Sequence, residues 1–215
     1  MLQVYLVRHG ETQWNAERRI QGQSDSPLTS KGVEQAWQVA ERARTLGITH
    51  VIASDLGRTQ QTARIIADAC GCEITLDSRL RELDMGVLEQ RHVDSLTDEE
   101  ESWRRTLVNG TEDGRIPEGE SMLELSQRMH AALAECLKLP EGSRPLLVSH
   151  GMALGCLVST ILGLPAYAER RLRLRNCSLS RIDYQQSPWL ASGWIVEMAG
   201  DISHLDAPAL DELQR

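Results

Sequence analysis

The sequence predicts an α/β fold of three layers, α/β/α, whose central sheet is mainly parallel and carries helices on both faces. Short apolar runs rich in β-formers alternate with segments of helical periodicity, in the order β-α-β-α-β, between Leu2 and Leu76. Each strand-helix-strand unit joins parallel strands by a crossover, so this order builds a sheet that is covered on two sides. The alternation breaks at 79–119, which predicts a small helical insertion.

The first half of the chain supplies three strands and two helices. The predicted strands are Leu2–Val7, Val51–Ala53 and Ile74–Leu76. The first helix follows Thr29, a residue suited to the N-cap, and stops at Gly47, while the second stops at Gly71. The polar stretch 8–30 is predicted to be a loop, and loops of this length in compact domains are often functional.

The second half restores the sheet after the insertion. Thr97 with Glu100 forms a capping box that opens an acidic helix, and Ser121 with Glu124 forms another that opens a helix reaching Cys136. The later strands are Leu146–Ser149, Ser178–Tyr184 and Trp194–Met198. We predict one domain over 1–215, with a helical cap inserted at about 86–120.

Composition excludes several classes of protein. The 215 residues are 41% hydrophobic and 25% charged, as in an ordinary globular domain, and no apolar run is long enough to span a bilayer. A net charge of −8 argues against general nucleic-acid or membrane-surface binding. The start has no signal-peptide pattern, and the five cysteines have no framework spacing. We expect a cytoplasmic protein with reduced thiols.

Two of the predicted strands are followed directly by the same dipeptide, a histidine and then a glycine. His9-Gly10 follows the first strand and His150-Gly151 follows Leu146–Ser149. Ligands bind at the carboxyl ends of strands in open α/β sheets, and glycines there allow close backbone approach or a positive φ. We therefore expect the two histidines to share one pocket.

Other polar residues follow the predicted strands on the same rim of the sheet. They are Arg8, Ser54, Asp55, Arg58, Arg81 and Glu82. Arginine forks bind phosphate, imidazole can act as a nucleophile or base, and a carboxyl group can transfer a proton. This set indicates chemistry on a phosphomonoester. We interpret Ser54 and Asp55 as a cap for the following helix rather than as catalytic residues.

Two other classes fit the residues less well. A metal-dependent hydrolase would need ligand spacings such as His-x-His or His-Glu-x-x-His, which the sequence lacks, so no metal ligands are predicted. A non-catalytic phosphoester-binding module would predict the loss of His9, Glu82 or His150, and all three are present.

Four ordered motifs carry a family resemblance. They are Arg8-His9-Gly10-Glu11-Thr12 with Asn15, Gly22 and Leu28-Thr29-x-x-Gly32; Ser54-Asp55-Leu56-x-Arg58-Thr59-x-x-Thr62-Ala63; Leu80-Arg81-Glu82; and Ser149-His150-Gly151. Together they resemble the histidine phosphatase superfamily and, within it, the phosphoglycerate mutase family, most closely the B-type probable phosphoglycerate mutases of bacteria. The match runs from Val4 to about Leu162.

The resemblance implies a role for each matching residue. His9 would be the nucleophile that becomes phosphorylated, while Arg8, Arg58 and a charged His150 would hold the phosphoryl group. Glu82 would protonate the leaving oxygen and then activate the acceptor. The second ring nitrogen of His9 should donate to a backbone carbonyl. The expected substrate-binding set is Arg8, His9, Gly10, Glu11, Thr12, Asn15, Gln21, Gly22, Arg58, Gln60, Glu82, Leu83, Asp84, Met85, Arg104, Arg105, Gly151 and Met152.

The sequence does not decide between a mutase activity and a phosphatase activity. Gln13-Trp14-Asn15 and Trp103-Arg104-Arg105 resemble mutase motifs, and a mutase would act on 2- or 3-phosphoglycerate with 2,3-bisphosphoglycerate as the priming donor. Glu82-Leu83-Asp84-Met85-Gly86 departs from the mutase pattern, and Gly200-Asp201-Ile202-Ser203-His204-Leu205 resembles the ending of phosphatase members. Either way the expected partner is a small phosphorylated metabolite, and the oligomeric state is open.

Overall fold

A computed structural model describes residues 1–108, 110–112, 114–186 and 193–206. Its six strands form one sheet in the order β3-β2-β4-β1-β5-β6. They are β1 Leu2–Arg8, β2 His50–Ala53, β3 Ile74–Leu76, β4 Pro145–Ser149, β5 Leu179–Gln185 and β6 Gly193–Asp201. The first four strands are parallel, while β5 runs antiparallel to β1 and β6 antiparallel to β5. The prediction of an α/β fold with a mainly parallel sheet is confirmed.

Helices cover both faces of the sheet. They are α1 Gln13–Glu17, α2 Ser30–Leu46, α3 Gly57–Cys70, α4 Asp98–Val108, α5 Met122–Glu135 and α6 Gly151–Ile161. One core joins α2 and α3 to Tyr5, Val7 and Val148, whereas the other joins α5 and α6 to Leu6 and Leu147. Because side chains alternate along a strand, β1 and β4 contribute to both cores. Their positions at the centre of the sheet follow from this two-sided burial.

The signals for helix ends predict α2 well and miss α1. Thr29 caps α2 by accepting from the Gly32 N–H, and Gly47 ends the helix with a φ of 68°. The predicted loop 8–30 contains α1, which Thr12 opens through a capping box with Asn15. Asparagine in place of the usual Glu or Gln hides that box from a sequence pattern.

Two short 3-10 helices and α4 lie between β3 and α5 in the region of the predicted cap. The 3-10 helices are Gly86–Leu88 and Val93–Ser95. Asn109 and Asp113 of the predicted cap lie outside the described residues. Among the helices of the described ranges, none is long and apolar enough to cross a bilayer.

The register of β1 and β4 brings the two strand-terminal histidines to the same level. Arg8, the last residue of β1, pairs with Ser149, the last residue of β4, so His9 and His150 directly follow the paired strand ends. The His9 N–H donates to the Ser149 carbonyl at 3.0 Å. Gly10 is needed here for packing against the protein itself, since a Cβ would lie 2.4 Å from the Gly32 carbonyl oxygen.

Candidate active site

His9 is a buried imidazole whose tautomer is fixed by its own main chain. Its side chain is 2% exposed, and Nδ1 lies 2.7 Å from the Gly10 carbonyl oxygen. A carbonyl can only accept, so Nδ1 carries the proton and Nε2 carries the lone pair. The expected bond from the second ring nitrogen to a backbone carbonyl is therefore present. Burial, and then the charges of Arg58 and Arg8, hold the pKa of His9 well below 6.5.

His150 lies beside His9 with its ring centroid 5.2 Å away and the ring planes at 61°. Arg58 Nε donates to His150 Nδ1 at 3.2 Å, and Nε2 lies 3.0 Å from Ser54 Oγ. Because arginine is always a donor, Nδ1 is unprotonated and Nε2–H points to Ser54. Burial and the charge of Arg58 likewise keep the pKa of His150 well below 6.5. In the ligand-free protein the neutral form of His150 is thus favoured, whereas the expected charged form applies to a site that holds a phosphoryl group.

Arg58 holds the turn formed by residues 22–25 through hydrogen bonds. Its side chain is 1% exposed. Nη1 donates to the Ser24 carbonyl at 2.7 Å and to Asp25 at 3.1 Å, and Nη2 donates to the Gly22 carbonyl at 2.7 Å. Gly22 has a φ of 55°, and a Cβ there would lie 2.1 Å from Glu89 Oε1. The guanidinium thus holds the 22–25 turn against the His150 ring.

Glu82 occupies the N-terminus of α6. Its Oε2 accepts from the Met152 N–H at 3.0 Å, while Oε1 accepts from the N–H groups of Ala153 and Leu83 at 2.9 Å. His150, the N-cap residue, provides no side-chain cap, so Glu82 takes that place and the helix dipole favours its charge. In the ligand-free protein the Met152 N–H therefore donates to Glu82.

Arg128 of α5 holds the turn that carries Glu82. Nη1 donates to the carbonyls of Arg79 and Arg81 at 2.7 and 2.6 Å, and Nη2 donates to the Glu82 carbonyl at 2.8 Å. Arg128 is also paired with Glu120. One guanidinium thus binds three carbonyls of the 79–82 turn, and the Glu82 side chain has little freedom to move away from α6.

Ser54 and Asp55 do not cap α3, which corrects their interpretation as a cap. The N-cap is Leu56, and the Arg58 N–H donates instead to Asp25 Oδ1 at 3.2 Å from across the loop. Ser54 Oγ is hydrogen-bonded to His150 Nε2, and Asp55 accepts from the Arg81 Nε at 2.6 Å. Hydrogen bonds to distant residues thus replace the local cap.

A cavity of about 180 Å³ opens beside His9. The expected site residues that line it are Arg8, His9, Asn15, Gln21, Gly22, Arg58, Glu82, Met85, Arg104 and Met152. The structure does not bring the others to its wall: Gly10, Glu11, Thr12, Gln60, Leu83, Asp84, Arg105 and Gly151. Thr12, for example, caps α1, and Gln60 donates to the Asp55 carbonyl at 2.7 Å.

Arg104 and Arg105 are neighbours in α4, but their side chains project in different directions. Arg104 lines the cavity, but its Nε and Nη2 each donate to Glu101 at 2.8 Å. Arg105 has a side chain that is 70% exposed and lies 3.5 Å from Glu101. Successive residues of a helix face different directions, so the two arginines cannot both reach one pocket.

The outer wall contains residues that sequence reasoning missed. They are Trp14, Arg18, Arg19, Ile20, Val93, Leu107 and Arg170. Arg170 Nη1 approaches Met152 Sδ at 2.8 Å, and Arg18 pairs with Asp94 at 2.8 Å. The arginine-rich run at 170–175 in a chain of net charge −8 is the signal that could have found Arg170.

The cavity is strongly basic in an acidic protein. Its lining contains arginines at 8, 18, 19, 58, 104 and 170, while Glu82 is the lining carboxylate. In the part of the chain that the structure describes, no three His, Cys, Asp or Glu side chains gather into a group that could hold a metal ion. The positive charge available to an anionic ligand is that of the guanidinium groups.

Sequence and structure comparisons agree with the site. The histidine phosphatase superfamily (branch 1) profile matches residues 4–197. The chain is 91% identical to the probable phosphoglycerate mutase GpmB of Enterobacter sp. (strain 638), over 100% of both chains. The solved structure of Bacillus stearothermophilus YhfR is 29% identical over 95% of this chain and 99% of that one, with a TM-score of 0.86.

A second solved structure, the alpha-ribazole phosphatase from Shigella flexneri, is 26% identical over 93% of this chain and 96% of that one, with a TM-score of 0.81. The fold of this chain is thus also that of a solved phosphatase. The profile match over most of the chain and the full-length relative carry the assignment. This chain belongs to the histidine phosphatase superfamily, branch 1, and is an enzyme of that superfamily.

Proposed function

We propose that this enzyme transfers a phosphoryl group through a phosphohistidine formed at His9 Nε2. The observation that carries the proposal is the His9 tautomer: the Gly10 carbonyl holds the proton on Nδ1, so Nε2 presents its lone pair. The lowered pKa keeps the ring neutral and nucleophilic near pH 7. Both arginines next to His9 in the cavity, Arg8 and Arg58, supply charge for the oxygens of the phosphoryl group.

His150 is assigned a role that begins when substrate binds. A phosphoryl dianion beside Arg58 and His150 would offset the repulsion that keeps the empty ring neutral. If Arg58 Nε–H then donated to the phosphoryl group instead of to Nδ1, that nitrogen could take a proton and give His150 a charge with which to stabilise the transferring group. In this proposal the expected charged state belongs to the complex, and the neutral state belongs to the free enzyme.

Glu82 is assigned the proton transfers. As Nε2 of His9 attacks phosphorus, the P–O bond to the substrate breaks and the leaving oxygen takes a proton from the Glu82 carboxyl group. In the second half the Glu82 carboxylate removes a proton from the acceptor hydroxyl, whose oxygen attacks phosphorus while the P–N bond breaks and returns the lone pair to His9 Nε2. Among the described residues Oε2 accepts one N–H bond, from Met152, and its other lone pair can hold that proton.

The substrate we propose is 2- or 3-phosphoglycerate or a similar small phosphorylated acid. The name of the 91% identical relative supports this choice. Charge also supports it, because Arg18, Arg104 and Arg170 lie in the cavity wall in addition to the two arginines beside His9. A second anionic group on the substrate would find a partner there. 2,3-Bisphosphoglycerate would be the priming phosphoryl donor.

We further propose that the segment 86–120 is a cap over the site of a single domain spanning 1–215. Val93, Arg104 and Leu107 of that segment lie in the cavity wall, which supports the idea. The five cysteines are free thiols, which supports a reducing, cytoplasmic setting.

Hydrolysis is the second candidate function. The pairing of Arg104 with Glu101 favours it, because a guanidinium held on its own helix is less available for the carboxylate of a phosphoglycerate. Water would then replace the second substrate hydroxyl as acceptor, with the same phosphohistidine and the same role for Glu82.

One assay separates the two outcomes. Purified protein is given 3-phosphoglycerate with a trace of 2,3-bisphosphoglycerate, and 2-phosphoglycerate and free phosphate are followed in parallel. We expect formation of 2-phosphoglycerate that depends on the bisphosphate. Phosphate without the isomer would make hydrolysis the function. The absence of both products would contradict the proposed substrate.

A further inference from the structure

The segment 174–178 holds the main chain of Arg8 and His9 in place. Arg8 Nη1 donates to the Leu174 carbonyl at 2.8 Å, and the Cys177 N–H donates to the Arg8 carbonyl at 3.0 Å. Asn176, which is fully buried, donates from Nδ2 to the His9 carbonyl at 3.0 Å. This segment comes late in the chain, so its contact with the first strand is a long-range one.

Asn176 also contacts Asn15, a residue of the cavity wall. The same Nδ2 lies 3.3 Å from Asn15 Oδ1, and that oxygen also accepts the Thr12 N–H at 3.0 Å. Two donors on one oxygen determine the amide orientation of Asn15. Its Nδ2 is consequently the end turned away from Thr12 and Asn176.

The orientation of Asn176 is determined as well. If its amide were flipped, Oδ1 would face two acceptors, the His9 carbonyl and Asn15 Oδ1. In the observed orientation Asn176 Oδ1 is buried with no hydrogen-bond partner among the described residues. Leaving a buried acceptor without a partner is unfavourable, and the two bonds from Nδ2 offset that loss.

We propose that Asn176 is a positioning residue, anchored on the His9 carbonyl, which turns the amide of Asn15 so that its N–H2 group donates to the phosphoryl group bound at His9. The inference rests on the proposed phosphohistidine function. Asn176 lies outside the walls of the cavity, so it acts on substrate through Asn15. A donor at this point would satisfy an oxygen that carries growing charge during transfer.

The test is a double-mutant cycle on Asn15 and Asn176. The variants are Asn15→Ala, Asn176→Ala and the double variant, measured by kcat/KM on a phosphomonoester and by inhibition with orthovanadate, a stand-in for the transferring phosphoryl group. We expect each single variant to lose about 10- to 100-fold in both measures. The double variant should resemble Asn15→Ala, because Asn176 has nothing left to orient.

Asn176→Asp, which keeps the volume and removes the donor, carries the test should Asn176→Ala fail to fold. We expect the same loss, since the carboxylate would draw Asn15 Nδ2 towards itself. Ser178→Ala is the matched control: it alters a buried hydroxyl of the same segment that has no partner among the described residues, and it should keep wild-type kinetics.

Losses that multiply in the double variant would overturn the inference, because Asn176 would then act independently of Asn15. Wild-type kinetics and vanadate inhibition in both Asn176 variants would overturn it too. A wild-type enzyme that neither turns over phosphomonoesters nor responds to vanadate would instead contradict the proposed function on which the inference rests.

Discussion

Arg58 Nε donates a hydrogen bond to Nδ1 of His150 at 3.2 Å, so a fixed cation is the partner of an imidazole in the centre of the site. The guanidinium cannot accept a hydrogen bond from an Nδ1–H, so in the free enzyme the ring is neutral with its proton on Nε2. The same guanidinium reaches the carbonyls of Ser24 and Gly22. Arg58 thus connects the state of His150 to the shape of the loop beside the cavity.

Arg58→Lys is predicted to lower kcat/KM at least about a hundredfold, as the loss of a preorganised donor typically does. One ammonium group cannot donate to His150, Ser24 and Gly22 in the directions that the planar fork reaches. Steady-state kinetics on a phosphomonoester, with circular dichroism to verify folding, would check this. A lysine variant within a few-fold of wild type would show that the bidentate geometry is unimportant.

The buried histidines make stability depend on pH in a defined direction. Burial lowers the pKa of His9 and His150 well below 6.5 in the folded protein, whereas the unfolded chain titrates near that value. The unfolded state therefore binds more protons as the pH falls below 6.5. Folding stability is predicted to be highest above pH 6.5 and to be lost as the pH falls from 6.5 towards the folded-state pKa values.

Thermal unfolding of the wild type and of His150→Gln between pH 8 and pH 5 would test this dependence. His150→Gln removes one of the two titrating rings, so its Tm should fall less steeply in that range. Parallel curves for the two proteins would contradict the assignment of a depressed pKa to His150.

Glu82→Gln is predicted to slow turnover by about a hundredfold or more while binding of inorganic phosphate stays near the wild-type level. The amide keeps the size of the carboxyl group but cannot exchange a proton with the substrate. Its NH2 group would also face the N–H donors of Met152 and Ala153, so a lower Tm is expected. A variant that lost affinity with an unchanged kcat would contradict the proton-transfer role.

Arg104 and Arg105 form a matched pair for testing the outer wall. Arg104→Ala should raise KM for a phosphorylated acid by about tenfold, because a charged partner of the second anionic group is lost. Arg105→Ala removes an equal charge from a side chain that is 70% exposed and outside the cavity, and it should change KM less than twofold. Equal effects of the two variants would indicate long-range electrostatics instead of direct contact.

The sequence predicted much of the fold because its signals are local. β3 lies at Ile74–Leu76 as predicted, and Thr29 and Gly47 bound α2. The parallel order of the first strands followed from alternation, and it brought His9 and His150 to one edge of the sheet. Periodicity and caps depend on neighbours along the chain, which a single sequence displays.

The missing parts of the site depend on contacts between distant segments. The bonds of Arg128 to the carbonyls before Glu82, and of Asn176 to His9, join residues far apart in sequence and leave no spacing pattern. The same holds for Ser54, whose partner His150 outcompetes the cap that the local sequence favours. Arg170 enters the cavity wall because of how the loop after α6 returns to the site.

The most direct test of the phosphohistidine claim is a rapid-quench experiment with a phosphomonoester labelled with radioactive phosphate. Label bound to the protein, stable in base and lost in acid, should appear within the first turnover and map to the peptide that contains His9. His9→Ala should carry no label and show no turnover. Label found elsewhere, or turnover by His9→Ala at the wild-type rate, would contradict the assignment of His9 as the nucleophile.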